Sequence, residues 1–228
     1  MRTTARRIQL FSIIAGLMVA TIPGVAAEAT AKAVPLLNGK DLTGWTHVLA
    51  DAAVPRDQVW SMREGMLVCT GTPIGVLYTE KSYTNFRLVV EYRWAPGAKP
   101  GNSGIMSRIT PGTGALPRTV EVQLANGNAG DVLGPKGFPV AAGGQPRWFE
   151  RDSAVAGKIT GVKKAMAAEK TPGEWNRVEI EAREGKYTVR INGQLVNEVT
   201  GVEVMAGPIG LQSEGGEVHF RNVLLTPW

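Results

Sequence analysis

Phe86-Arg-Leu-Val-Val-Glu-Tyr-Arg-Trp94 decides the fold class. Phe86, Leu88, Val90, Tyr92 and Trp94 alternate with Arg87, Val89, Glu91 and Arg93, a period of two that puts one set of side chains into a core and the other outside. The pattern recurs on both sides. Gln58–Met62 and Met66–Thr70 flank Arg-Glu-Gly as a hairpin, and Ser103–Ile109 and Thr119–Ala125 are shorter strands. Trp175–Arg183, Lys186–Asn192 and Gln194–Val199 follow, separated by Glu184-Gly185 and by Asn192-Gly193, a favoured two-residue hairpin turn. Ile209–Ser213 and Glu217–Thr226 close the chain. Helical periodicity is absent, apart from a turn or two expected over Val162–Glu169. Many short strands without interleaved helices predict an all-β chain, two antiparallel sheets packed as a sandwich or jelly roll, and 28 glycines and 14 prolines suit its many turns. Residues 126–174 show no clear strand, and a long segment of this kind commonly covers a site.

Arg2, Arg6 and Arg7 precede an apolar run, Ile8 to Ala20, and the small residues Val25-Ala26-Ala27 follow, so residues 1–27 read as an export signal and residues 28–228 as a single domain. A periplasmic or secreted location follows. The apolar run is shorter than the roughly 20 residues a membrane helix needs, so no stable membrane span is expected after cleavage. Three of the 25 bases and none of the 20 acids lie in residues 1–27, leaving 22 bases against 20 acids. Without a Lys/Arg-rich run, that balance gives no footprint for nucleic acid. Cys69 is the only cysteine, which excludes an internal disulfide, and beside Leu67 and Val68 it reads as a buried structural residue. Oligomeric state is not legible.

Thr119-Val-Glu-Val-Gln-Leu124 places Val120, Val122 and Leu124 on one face and Glu121 and Gln123 on the other, about 7 Å apart, before a glycine-rich loop ending at Asp131. Glu121 and Gln123 are candidate site residues by their place on the polar face; a solvated outward Glu is the plain alternative. Asn102 and Ser103 begin a strand after a turn and suit either ligand binding or turn capping. Arg108 and Arg93 lie at polar-face positions and could donate paired hydrogen bonds to an oxyanion, or pair with a carboxylate such as Glu91. Arg147-Trp148-Phe149 offers a sugar-stacking wall in which Trp148 is the candidate, or else a pin for the long segment. Glu214 could complete a two-carboxylate pair, with Gln212 nearby, or be surface at a turn tip. Arg221 and Asn222 read as structural. His47 and His219 have no ligand-like spacing, so a His-based zinc site is not expected. No cofactor is evident; a divalent cation such as calcium at the Asp131 loop is one option, a simple turn the other.

Several pieces recur in one order: Leu37-Asn-Gly-Lys-Asp-Leu-Thr-Gly-Trp45, Tyr83-Thr-Asn-Phe-Arg-Leu88, Asn102-Ser-Gly-Ile105, Glu121-Val-Gln123, Gly173-Glu-Trp-Asn176, Ile191-Asn-Gly193, and Gly210-Leu-Gln212 through Phe220-Arg-Asn-Val223. Across about residues 35–228 this order resembles the bacterial 3-keto-disaccharide hydrolase domain family. The resemblance implies a concanavalin-like jelly roll and an exported protein with a carbohydrate substrate. It also implies cleavage of glycosides oxidised to a ketone at C3, by hydrolysis or by elimination across C1–C2, with Glu121 of Glu121-Val-Gln123 as the candidate base and Gln123 as the candidate partner of a sugar hydroxyl. Many members carry an acid shortly after Glu-x-Gln and a His after Leu-Gln; here those regions read Leu124-Ala-Asn-Gly127 and Ser213-Glu214. A lectin-like binding module and a conventional two-carboxylate glycosidase are the rival readings.

Overall fold

The strand Phe86–Trp94 lies at the centre of one of two eight-stranded antiparallel sheets. The structure is a computed structural model that describes residues 32–141 and 144–228, and the export-signal expectation over residues 1–27 falls outside the described residues. In chain order the strands are β1 (Val34–Pro35), β2 (Trp45–Leu49), β3 (Trp60–Arg63), β4 (Met66–Cys69), β5 (Gly75–Tyr83), β6 (Phe86–Trp94), β7 (Gly104–Thr110) and β8 (Arg118–Gln123). They continue as β9 (Val132–Gly134), β10 (Trp148–Ser153), β11 (Gly157–Val162), β12 (Asn176–Arg183), β13 (Lys186–Ile191), β14 (Gln194–Val199), β15 (Gly207–Ser213) and β16 (Val218–Pro227). The first sheet runs β14-β13-β12-β6-β16-β4-β3 with β1 added to β16, and the second runs β10-β11-β9-β8-β7-β15-β5-β2. The two sheets make the jelly-roll sandwich expected of the alternating pattern. Among the described residues no helix is long and apolar enough to cross a membrane.

The alternation dictates the packing. Phe86, Leu88, Val90, Tyr92 and Trp94 meet Val120, Val122, Leu124, Ile209 and Leu211 in the main core between the sheets. Burying one such side chain is worth about 1.5–3 kcal/mol relative to leaving it exposed, so several dozen decide the register of every strand. Cys69 is in this core, and burial pushes its thiol up to about 11, which keeps it protonated and inert. Asn192 and Gly193 take left-handed backbone angles of 51° and 82°, the turn the dipeptide predicts.

Three expectations are corrected. Residues 126–174 are not an irregular cover: they contain β9, β10 and β11, which extend the second sheet to its edge. Their signal is faint because β9 has three residues and β10 is an exposed, charged edge strand. Val162–Glu169 is not helical, since β11 ends at Val162 and an irregular segment follows. The strand expected from Gln58 starts only at Trp60, after a four-residue helix, Arg56–Val59. β5 escapes sequence reading for a further reason. Its Leu77 faces the main core, while Val76 joins Met106, Ile109, Leu116, Leu133 and Ile159 in a second apolar cluster on the outward face. With both faces apolar, the period of two vanishes.

Candidate active site

The outward face of the second sheet collects the polar residues of β8 and β15. Glu121 and Gln123 project from β8, whose Val120 and Val122 fill the core, and Glu121 stands opposite Met106 and Gln123 opposite Gly104 on β7. Next to β7, β15 turns Leu211 inward and Gln212 outward, and Glu214 follows at the strand end. Together with Asn102 and Arg151 these residues line a recess of about 550 Å³ of open space. The β10–β11 hairpin supplies its far wall through Ser153, Ala156 and Ile159. A neighbouring recess shares Gln123, Leu133 and Arg151 and adds Asn128, Asp131, Phe149 and Lys163.

Glycines make this arrangement possible. A Cβ on Gly104 would lie 2.8 Å from Glu121 Cγ, so the carboxylate side chain occupies space that any other residue would fill. Where Gly101 meets Gly215, backbone contacts backbone, and the Asn102 amide donates to the Gly215 carbonyl at 2.9 Å, tying the Asn102 strand end to the Glu214 loop.

Glu121 is 3% exposed. Burial first, and the charge of Glu214 second, push its carboxyl up to about 8 against an opposing pull from Arg151. Glu214 is also raised, by burial, but the hydrogen bond from Gln212 Nε2 to its Oε2, 2.7 Å, and the Arg151 guanidinium oppose the rise. A carboxyl raised to about 8 keeps its proton at neutral pH, and Glu121 does so beside the better solvated Glu214. Three oxygens in the recess, Glu121 Oε1, Asn102 Oδ1 and Gln212 Oε1, are buried without a hydrogen-bond partner. Buried oxygens are nearly always satisfied, and each of these three has hydrogen-bonding capacity left over.

The structure brings together Glu121, Gln123, Asn102, Gln212 and Glu214, and leaves four nominated residues elsewhere. Arg108 is fully buried with φ of 52°, at a bulge where the β7–β8 register shifts. Its guanidinium donates to the Glu184 carbonyl at 2.7 Å and to the Glu203 and Thr84 carbonyls, and lies over the Tyr187 ring. The extra bulge residue turns Arg108 off the face that simple alternation gives it. Arg93 belongs to the first sheet, stacked 4.7 Å from the Trp175 ring and donating to His219 Nδ1. Ser103 is buried and donates to the Gln212 carbonyl at 2.8 Å, so it braces β15 and does not face a ligand. Trp148 packs against the main core, and its neighbour Phe149 faces the second recess. Arg151 escapes sequence reading because edge strand β10 reads as loop, and of the two aromatics in the expected wall it is Phe149, with the same parity as Arg151, that lies on the outward face.

His47 stacks edge-on to Trp60 while His219 is bonded to Glu217 on the first sheet. Among the described residues no group of three or more His, Cys, Asp or Glu side chains could hold a metal, and Asp131 Oδ1 accepts the Lys164 amide at 2.7 Å. Arg221 donates to Glu91 Oε2 at 2.7 Å and covers the Trp175 ring, the structural role expected of it.

The model of the 3-keto-alpha-glucoside-1,2-lyase-like domain matches residues 32–226. The chain belongs to this family. No curated protein matches the sequence. Among solved structures, a candidate glycosyl hydrolase from Parabacteroides distasonis superimposes with a TM-score of 0.60 at 20% identity, covering 86% of this chain and 94% of that one. The carbohydrate binding module CBM66 from Bacillus subtilis gives 0.55 at 15% identity over 81% of this chain and 96% of that one. The Bacillus licheniformis beta-glucanase gives 0.55 at 12% identity over 89% and 100%. At these identities the likeness is one of fold, the concanavalin-type jelly roll.

Proposed function

We propose that the protein is a carbohydrate-active enzyme that cleaves glycosides carrying a ketone at C3, by elimination across C1–C2. The observation that carries the reading is the set of three unpartnered buried oxygens sharing one recess with a second carboxylate and Arg151. Membership of the 3-keto-alpha-glucoside-1,2-lyase-like family supports the choice of substrate class.

A C3 ketone acidifies the C2 proton, because the electron pair left behind is delocalised onto the ketone oxygen. Glu214, the better solvated carboxylate, takes that proton, and the C2–H electrons form the enolate. Arg151 lies where a cation can stabilise the oxyanion. As the ketone re-forms, C1=C2 forms, the C1–O bond breaks, and the leaving oxygen takes the proton of Glu121. The products are an alcohol and an enone. Proton exchange with solvent restores both carboxyls, and addition of water to the enone gives net hydrolysis. Sequence reading makes Glu121 the base; its deeper burial assigns it the acid role instead.

The test is incubation with a 3-keto-disaccharide and, separately, with its unoxidised parent. Release of sugar from the ketone form alone supports the reading, and equal release from both would mean ordinary glycosidase chemistry. The likeness in fold to a carbohydrate binding module favours a second reading, which predicts saturable binding of either sugar and release from neither. Export is part of the proposal, resting on the basic and apolar character of residues 1–27; a mature amino terminus at Glu28, found by mass spectrometry of the native protein, is the expected result.

A further inference from the structure

The second recess has a floor of its own. Phe149 on β10 stands directly opposite Gly161 on β11. A Cβ at 161 would lie 2.8 Å from the Val132 carbonyl oxygen and 3.0 Å from both Phe149 Cε1 and a Leu133 methyl, so a residue without a side chain lets the β9 backbone and the ring both come close to the strand at this point. The ring joins the outward apolar cluster and is half-buried, so one part packs while the rest faces the recess. Around it stand Gln123, Asn128 and Asp131, and the Lys163 ammonium lies over the ring, 5.8 Å from its centroid, a loose contact that a ligand ring can replace as the long lysine side chain moves to the rim. Gln123 spends its Oε1 on the amides of Leu124 and Ala125, which leaves its amide group to donate toward the groove. An aromatic floor with short polar side chains at its rim is the chemistry that recognises a pyranose ring, whose C–H face packs on the aromatic and whose hydroxyls meet the rim. Gln123, Leu133 and Arg151 line both recesses, so one ligand can occupy the two together.

We infer that Phe149, seated on Gly161, is the stacking platform for a second sugar ring, the leaving-group ring of a disaccharide whose oxidised ring occupies the Glu121 recess. This rests on the reaction proposed above for its placement relative to the scissile bond. The stacking itself does not depend on turnover. The platform makes the enzyme selective for leaving groups that are sugars over small alcohols. Gly161 is its positioning residue, acting through Phe149.

Two readouts on the full chain test the inference. In the first, a 3-keto-disaccharide and methyl 3-keto-glucoside are compared as substrates of wild type, Phe149→Ala and Gly161→Val, with Phe149→Tyr as the rescue variant. The expected result is a KM for the disaccharide raised about tenfold in the first two variants, the scale of one lost aromatic contact. The methyl glycoside KM stays near wild type, and Phe149→Tyr restores the disaccharide. Equal changes for both substrates, or none for either, would overturn the platform. The second readout is saturation-transfer NMR from protein to the second ring of the unoxidised disaccharide. Transfer is expected in wild type and Phe149→Tyr and lost in Phe149→Ala; unchanged transfer in Phe149→Ala, or none to that ring in wild type, would overturn the inference. If the wild type cleaves neither ketone substrate while transfer depends on Phe149, the proposed reaction fails and the platform stands.

Discussion

The two sheets present outward faces of opposite character, one covered with charges and the other largely apolar around a few polar groups. On the first sheet the charges answer one another: Arg221 donates to Glu91, Glu179 is shared by Arg87 and Arg177, Lys186 meets Glu198, and His219 meets Glu217. On the second sheet Glu121, Glu214 and Arg151 share a recess, yet none of the ion pairs among the described residues involves them. Solvated pairs are worth about 0–1 kcal/mol each and tolerate replacement. A carboxyl held out of water without a partner costs stability, and folds keep such groups where a ligand or a reaction uses them. Unpaired carboxyls mark the working face and paired charges the covering one.

The largest effect that would break this comparison is on turnover. Glu121→Gln is expected to fold and to lose about a hundred- to ten-thousand-fold in kcat on a 3-keto-disaccharide, the scale of one positioned acid or base. Full activity in that variant would remove Glu121 from the chemistry. Arg151→Met is expected to lose about a hundred- to a thousand-fold, read by the same assay, as for a lost oxyanion partner. Arg108→Met sharpens the contrast from the other side. It strands carbonyl groups of Thr84, Glu184 and Glu203 in the interior and is expected to destabilise by about 3 kcal/mol in urea unfolding, with turnover per folded molecule unchanged.

Smaller effects follow from titration and from the paired face. The Glu121 carboxyl rises from 4.5 to about 8 on folding, so the native state holds the proton more tightly than the unfolded one. Its contribution to stability is fully present below pH 4.5 and is lost as pH rises through about 8. Glu121→Gln, which cannot ionise, is expected to flatten this fall, giving a higher melting temperature than wild type above pH 8. The smallest effect belongs to the first sheet: Arg93→Ala is expected to change stability by less than about 1 kcal/mol and activity not at all.

The sandwich was legible because strands such as β6, β12 and β13 are buried on one face only, which writes a period of two into the sequence. The positions of Glu121 and Gln123 were legible for the same reason, whereas Glu214, beyond the end of β15, was legible only through the family resemblance. What escaped was whatever departs from one-sided burial. β5 is apolar on both faces, β10 is a charged edge, and the bulge at Arg108 inverts its side chain with no mark in the periodicity. Arg151 is hidden with β10, and the wall Arg147-Trp148-Phe149 is legible without telling which aromatic faces the recess, because the parity of an unrecognised strand cannot be read. The division of roles between two carboxylates depends on relative burial across three strands, which no local pattern encodes.

The most direct test of a working face built on unpaired carboxyls is proton NMR in deuterated water with a 3-keto-disaccharide, comparing wild type, Glu214→Gln and Glu121→Gln. The account predicts cleavage by wild type with deuterium entering C2. It predicts loss of both exchange and cleavage in Glu214→Gln, and C2 exchange that outlasts cleavage in Glu121→Gln. Cleavage by wild type without deuterium at C2, or exchange unaffected in Glu214→Gln, would contradict it.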